Sequence, residues 1–137
     1  TLSPDEIHAR YESGTPGLEQ RIKALCVAAE RGWNIRLCLD PLLRIPGWKD
    51  MYEAFVGRLR DALPWDSIER VEIGVFRVSP GYFKRMKKRP GTDLLHYPYE
   101  HANNAVSYKE KERDELVETM RSGLPGSLSD EQIFIWT

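Results

Sequence analysis

The sequence predicts an α/β fold built on one parallel strand–helix–strand unit, and three stretches carry that reading. Ile35, Leu37 and Leu39 alternate with Arg36, Cys38 and Asp40 between Gly32 and Pro41, the period-two pattern of a strand. Trp48, Met51, Tyr52, Phe55, Val56, Leu59 and Leu63 then recur at helical spacing and Pro64 closes the run, which marks an amphipathic helix. In RVEIGVFR (70–77), Val71, Ile73 and Val75 alternate with Glu72 and Gly74 as a second strand. A helical crossover within one sheet is right-handed and makes its two strands parallel. Ligands of parallel sheets sit outside the carboxyl ends of the strands, so Asp40 and Arg77 are expected to face one crevice.

The other elements follow in order. Thr1 and Leu2 read as the tail of a strand, and a chain that opens without methionine is expected to be a piece of a longer protein. Ser3-Pro4-Asp5-Glu6 is a capping-box pattern with Ser3 as N-cap, for a short helix ending by Ser13-Gly14. Thr15-Pro16 restarts a helix carrying Leu18, Ile22, Leu25, Cys26 and Ala29, with Gly32 as its stop. The strand after it is expected to end at Asp40, where Asp-Pro opens a turn.

Ser79-Pro80 caps a further short helix. It bears the one strongly basic patch, Lys84, Arg85, Lys87, Lys88 and Arg89, with Tyr82, Phe83 and Met86 among the cations. DLLHYPY (93–99) and Val106 to Tyr108 read as the arms of a hairpin with HANN (101–104) at its tip, although Pro98 interrupts one arm. Ser107 and Glu110 suggest a second capping box, before a helix carrying Leu116, Val117 and Met120 and ending at Gly123. IFIW (133–136) closes the chain as a strand.

At 137 residues the chain holds one core and is too short for two. Its net charge of −1 gives no global field for nucleic acid, so a basic site must be local. No apolar run reaches the roughly 18 residues of a membrane helix, and no signal-like segment precedes the first helix, so a cytoplasmic protein without membrane partners is expected. Cys26 and Cys38 have no metal-ligand spacing and are expected as buried free thiols, and His8, His96 and His101 offer no ligand pattern either. Trp33, Trp48, Trp65 and Trp136 are expected to pack.

YESGTPGLEQR (11–21), a helix ending in Gly32, LCLDPLL (37–43), Gly47-Trp48 and IGVFR (73–77) follow one another in an order that resembles the C-terminal half of the spore photoproduct lyase family, a likeness that weakens from Pro90 onward. Members of that family are radical S-adenosylmethionine enzymes that split the thymine dimer of ultraviolet-damaged DNA. A reduced cluster cleaves the cofactor, and the adenosyl radical abstracts hydrogen from the substrate.

The resemblance implies the C-terminal part of a partial (β/α) barrel, with residues 1–89 as its βα units and residues 90–137 as a hairpin, helix and strand extension packed on them in one structural domain. It implies S-adenosylmethionine and a [4Fe-4S] cluster as cofactors. The CxxxCxxC loop that holds the cluster and the hydrogen-donating cysteine both lie upstream in the family, so no catalytic residue is expected in this chain and Cys26 and Cys38 take neither role. The implied partners are DNA, the cofactor and the N-terminal remainder of the barrel.

Residue by residue, Thr1 matches a cofactor-contacting serine and keeps its hydroxyl, and Asp40 falls at a small or acidic position near the adenosyl group. Arg77 matches an arginine after the next strand, and its place at the same edge suits contact with the substrate or a cofactor phosphate. The hairpin departs from the family, which carries cations around that turn, whereas YEHANNAVSY (99–108) has none. Tyr99 and Tyr108 would then stack on a base while Lys84, Arg85, Lys87 and Lys88 hold phosphates.

Simpler readings stand beside these. Asp40 is then a turn opener, Arg77 the partner of a carboxylate on the rim, and the basic run a solvated helix face. The alternative for the whole chain is a stand-alone half-barrel that binds nucleic acid or a protein without chemistry.

Overall fold

Two parallel strands set the frame. In a computed structural model, which describes residues 1–88 and 92–137, β1 (Ile35–Leu42) pairs in parallel with β2 (Ile68–Val75), and β2 pairs in parallel with β6 (Ile133–Trp136). Among the described residues this gives a three-stranded parallel sheet in the order β1-β2-β6. Arg89 of the predicted basic patch lies outside the described residues.

The helices α2 (Leu18–Glu30), α3 (Trp48–Ala62) and α5 (Glu110–Gly123) stand side by side against the apolar face of the sheet. Their inward residues follow the helical spacing: Leu18 and Ile22, then Tyr52, Phe55, Val56 and Leu59, then Leu116, Val117 and Met120. They meet Leu37 and Leu39 of β1 and Val71, Ile73 and Val75 of β2 in one continuous core. Burying each such side chain contributes about 1.5–3 kcal/mol, which is why the crossover packs on this face. The short helix α1 (Asp5–Tyr11) adds Ile7 to the same core.

β1 runs further than expected. Asp40-Pro41 does not turn the chain out of the sheet but lies inside the strand, which continues to Leu42. Proline supplies no N–H to the ladder, and the register with β2 shifts between Leu39 and Leu42. On the other side of β1, the Leu2 N–H donates to the Cys38 carbonyl at 3.0 Å.

β2 ends sooner than expected. The chain leaves the parallel sheet at Phe76, and Arg77 opens β3 (Arg77–Val78), which pairs with β5 (Ala105–Ser107) in a second, antiparallel sheet of order β3-β5-β4. β4 (Glu100–Ala102) and β5 form the hairpin. It is shorter than DLLHYPY suggested, because residues 93–96 make a 3-10 turn and only residues 100–107 pair. Asn103 and Asn104 at its tip both have positive φ, the backbone of a two-residue turn whose twist matches a hairpin.

Neither predicted capping box forms, because both serines bond to groups farther away along the chain. The Ser3 hydroxyl donates to the Glu12 carboxylate, which also takes the Arg21 guanidinium, so α1 starts without a side-chain cap. The Ser107 hydroxyl donates to the Phe76 carbonyl at 2.7 Å, and Glu112 instead accepts the Lys109 N–H at the start of α5. The Ser79 cap of α4 (Pro80–Met86) does form, its hydroxyl accepting the Tyr82 N–H. Trp48 and Trp65 pack against the core, whereas Trp33 and Trp136 are 68% and 52% exposed, and both cysteines are half-buried free thiols.

The contact between α3 and α5 is close enough to need glycine. A Cβ on Gly123 would overlap the methyl groups of Val56. Gly123→Ala is expected to destabilise the fold by about 1–3 kcal/mol through overpacking. Urea unfolding of Gly123→Ala beside Gly123→Ala/Val56→Ala checks this, because the second substitution should restore part of the loss.

Candidate active site

The face of the parallel sheet away from the helices carries polar and aromatic residues. Strand alternation puts Cys38, Glu72 and Phe134 on one rung of that face, and Gly74 and Trp136 on the next toward the carboxyl ends. The Asp40 side chain lies over Gly74, where a Cβ would overlap its carboxylate. Arg70 stacks on Phe134, with its guanidinium carbon 3.3 Å from the ring centroid, and meets Glu72 at 3.6 Å. Phe134 and Trp136 both come from β6, which is partly exposed from Phe134 to Trp136.

Arg77 closes the carboxyl end of this face. Its Nη1 donates to the Val75 carbonyl at 3.2 Å, reaches the Trp136 carbonyl at 3.5 Å and meets Asp40 Oδ1 at 3.5 Å. One guanidinium thereby touches the ends of all three parallel strands. The Asp40 and Arg77 side chains stay about one third exposed, so water screens the pair and its stability contribution is at most about 1 kcal/mol. Its value is geometric: it fixes an anion and a cation at the strand ends.

Two cavities open from these residues. One, of about 330 Å³, is lined by Asp40, Pro41, Phe76, Arg77, Val78, Tyr82 and Met86, and so joins the strand ends to α4. The other, of about 410 Å³, runs from Arg77 along the hairpin past Glu100, Asn103 and Ser107 to Glu110 and Arg113. Beyond the first cavity the cations of α4 and of the turn that follows it, Lys84, Arg85, Lys87 and Lys88, are all exposed. Arg85 lies over the exposed Tyr82 ring, at 5.5 Å from its centroid. Asp40 and Arg77 are thus together, the four cations are one helix away, and Thr1 is an exposed residue next to the Leu2–Cys38 bond on the outer side of β1.

No family model and no curated protein matches the sequence. Solved structures do match. A structure described as spore photoproduct lyase complexed with dinucleoside spore photoproduct superposes with a TM-score of 0.72 at 18% identity, over 96% of this chain and 41% of that one. A cysteine-to-alanine mutant of the same enzyme with dinucleoside spore photoproduct gives a TM-score of 0.74 at 19% identity, with the same coverage. The mutant described without that ligand gives 0.73 at 19% identity.

In fold, this chain is similar to spore photoproduct lyase. It spans 41% of the length of those chains, and identity at this level speaks for the fold alone. The match covers the hairpin region as well as the parallel sheet, since 96% of the chain superposes.

An aromatic cluster packs beside the hairpin. Tyr99 packs between Phe76, Phe83, Tyr97 and Tyr108, with ring centroids 5.1–5.6 Å away. Tyr108 is fully buried, and its hydroxyl accepts the Arg44 N–H at 2.7 Å. Stacking of Tyr108 on a base is therefore excluded in this fold, because both its ring and its hydroxyl are used by the core. Tyr99 sits at the centre of the cluster and is half-buried.

Sequence reading missed Gly74, Tyr82 and Trp136 as neighbours of Asp40 and Arg77. The signal for Gly74 was present in IGVFR, a glycine inside a strand, which marks a close approach of another group. Trp136 could be placed only once β6 was known to pair with β2.

The tyrosine cluster has a titration signature. Burial, and then the hydrogen bond to Glu112, pushes the Tyr97 phenol up from 10.0 to about 12. Burial, then Asp93, pushes Tyr11 up from 10.0 to about 12. Burial also raises Tyr99 and Tyr108. A raised phenol favours the protonated folded state, so this contribution is complete below the unfolded value of 10.0 and lost as pH climbs toward 12. Phenolate absorbance on alkaline titration should show these tyrosines ionising late, with melting temperature falling across the same window. Replacement of Tyr97 by Phe should flatten that fall.

Proposed function

We propose that this chain is the C-terminal portion of a spore photoproduct lyase-like radical S-adenosylmethionine enzyme acting on thymine-dimer lesions in DNA. In this reading it forms part of a partial barrel, one wall of the cofactor pocket and part of the substrate groove. The observation that carries it is the meeting of Asp40 and Arg77 at the carboxyl ends of parallel strands, on a fold matched by spore photoproduct lyase over 96% of the chain.

The residues around the 330 Å³ cavity fit one edge of an adenosyl group. The Asp40 carboxylate supplies an acceptor for sugar hydroxyls, and Pro41, Phe76, Val78 and Met86 supply an apolar wall for a purine. Thr1 would add a hydroxyl from the segment that runs beside β1. When bound, S-adenosylmethionine supplies the radical chemistry of the family; this chain's part is to hold and orient it and to keep water from its adenosyl side. The chain does not fit an iron–sulfur cluster. Cys26 and Cys38 are its two cysteines, fewer than three ligands require, so no step is assigned to a cluster here.

DNA would lie across α4. Lys84, Arg85, Lys87 and Lys88 are exposed beyond the cavity and suit phosphates, whereas the hairpin carries Glu100 and no cation. Arg77, which lines both cavities, would meet the substrate.

The two cationic groups should fail differently in the full-length protein. Replacing Lys84, Arg85, Lys87 and Lys88 with Ala should weaken binding to damaged and undamaged DNA alike, and lower the salt slope by roughly one unit for each phosphate that is no longer neutralised. Arg77→Ala should lower turnover of a spore photoproduct dinucleoside with little change in binding of undamaged DNA. Unchanged DNA affinity and salt slope after loss of these four cations would return that patch to a solvated helix face. A cluster-loaded full-length protein that neither binds S-adenosylmethionine nor turns over the dinucleoside would refute the enzymatic reading.

A further inference from the structure

Gly74 is buried in the middle of β2, between Ile73 and Val75, and its φ is not positive. The backbone does not ask for glycine there, and a strand interior is weakened by it. What asks for glycine is Asp40. A Cβ at position 74 would overlap the Asp40 carboxylate, and Asp40 Oδ1, the atom nearest that Cβ, is the same oxygen that meets Arg77 at 3.5 Å.

We infer that Gly74 is a positioning residue of the candidate site: its missing side chain is the seat in which the Asp40 carboxylate lies across β2, within reach of Arg77. The rest of the seat is already filled. Trp136 pairs with Gly74 from the β6 side, and Arg77 closes the carboxyl end through its bonds to Val75 and Trp136. A methyl group on residue 74 therefore leaves the carboxylate no place on its rung. Asp40 must rotate away, Arg77 loses its anion, and the wall of the 330 Å³ cavity changes shape. Among the described residues Asp40 Oδ2 has no hydrogen-bond partner, which leaves it as the acceptor that the seat presents to a ligand hydroxyl.

The ligand part of this inference rests on the cofactor reading above, whereas the seat itself does not. The test is a double-mutant cycle in the full-length protein, with Gly74→Ala, Asp40→Ala and the pair, and with Ile73→Val as a core control on the same strand. Gly74→Ala should lower the melting temperature in the parent but leave it unchanged or raise it in the Asp40→Ala background, where the new methyl fills vacated space. It should weaken S-adenosylmethionine binding about tenfold, as loss of one charge-assisted hydrogen bond does.

In the Asp40→Ala background it should weaken that binding no further, and Ile73→Val should leave binding alone. If Gly74→Ala does not fold, recovery of folding in the double variant supports the seat, and failure of both overturns it. Independent, additive losses from the two substitutions would also overturn it. Should the parent protein not bind S-adenosylmethionine, the cofactor reading falls, and the melting-temperature cycle alone decides the role of Gly74.

Discussion

The site depends on one guanidinium. Arg77 reaches the carbonyls of Val75 and Trp136 and the carboxylate of Asp40, and so ties the carboxyl ends of β2, β6 and β1 together. Remove it and the three strands still pair, since their register and core burial do not involve its side chain. What would be lost is the common end point: a cation over an aromatic ring, an anion held in place, and two cavities that share one residue as a wall. The exchange of β2 for β3 at Phe76 makes this possible. Arg77 belongs to the antiparallel sheet by its backbone and to the parallel sheet by its side chain.

That division of labour separates stability from function. Stability resides on the helix side of the sheet, where Leu59, Val71, Ile73, Leu116 and Met120 are almost wholly excluded from water. The opposite face is built from ion pairs about one third exposed and cation–aromatic stacks that contribute little to folding.

Periodicity was enough to read β1, α3, β2 and their parallel pairing, because each has a pattern tied to one apolar face. It also placed Asp40 and Arg77 at one edge. Local signals failed where a distant partner was stronger. Ser3 and Ser107 look like caps but bond to Glu12 and to the Phe76 carbonyl, and Tyr108 looks like a base platform but fills the core beside Arg44. Nothing in the sequence pairs β6 with β2, since the strands are far apart along the chain, so Trp136 and the rung it shares with Gly74 stayed out of reach. The glycine of IGVFR was visible, but its reason was not: the group it makes room for sits on another strand.

The most direct measurement is a structure of the full-length protein with S-adenosylmethionine bound. The adenosyl group is expected to lie against Asp40, Pro41, Phe76 and Met86, with Asp40 Oδ2 accepting from a ligand hydroxyl and with a further strand paired to β1 beyond Leu2. A cofactor bound elsewhere, with the Asp40–Arg77 edge covered by protein and β1 left as the edge of the sheet, would contradict this assignment.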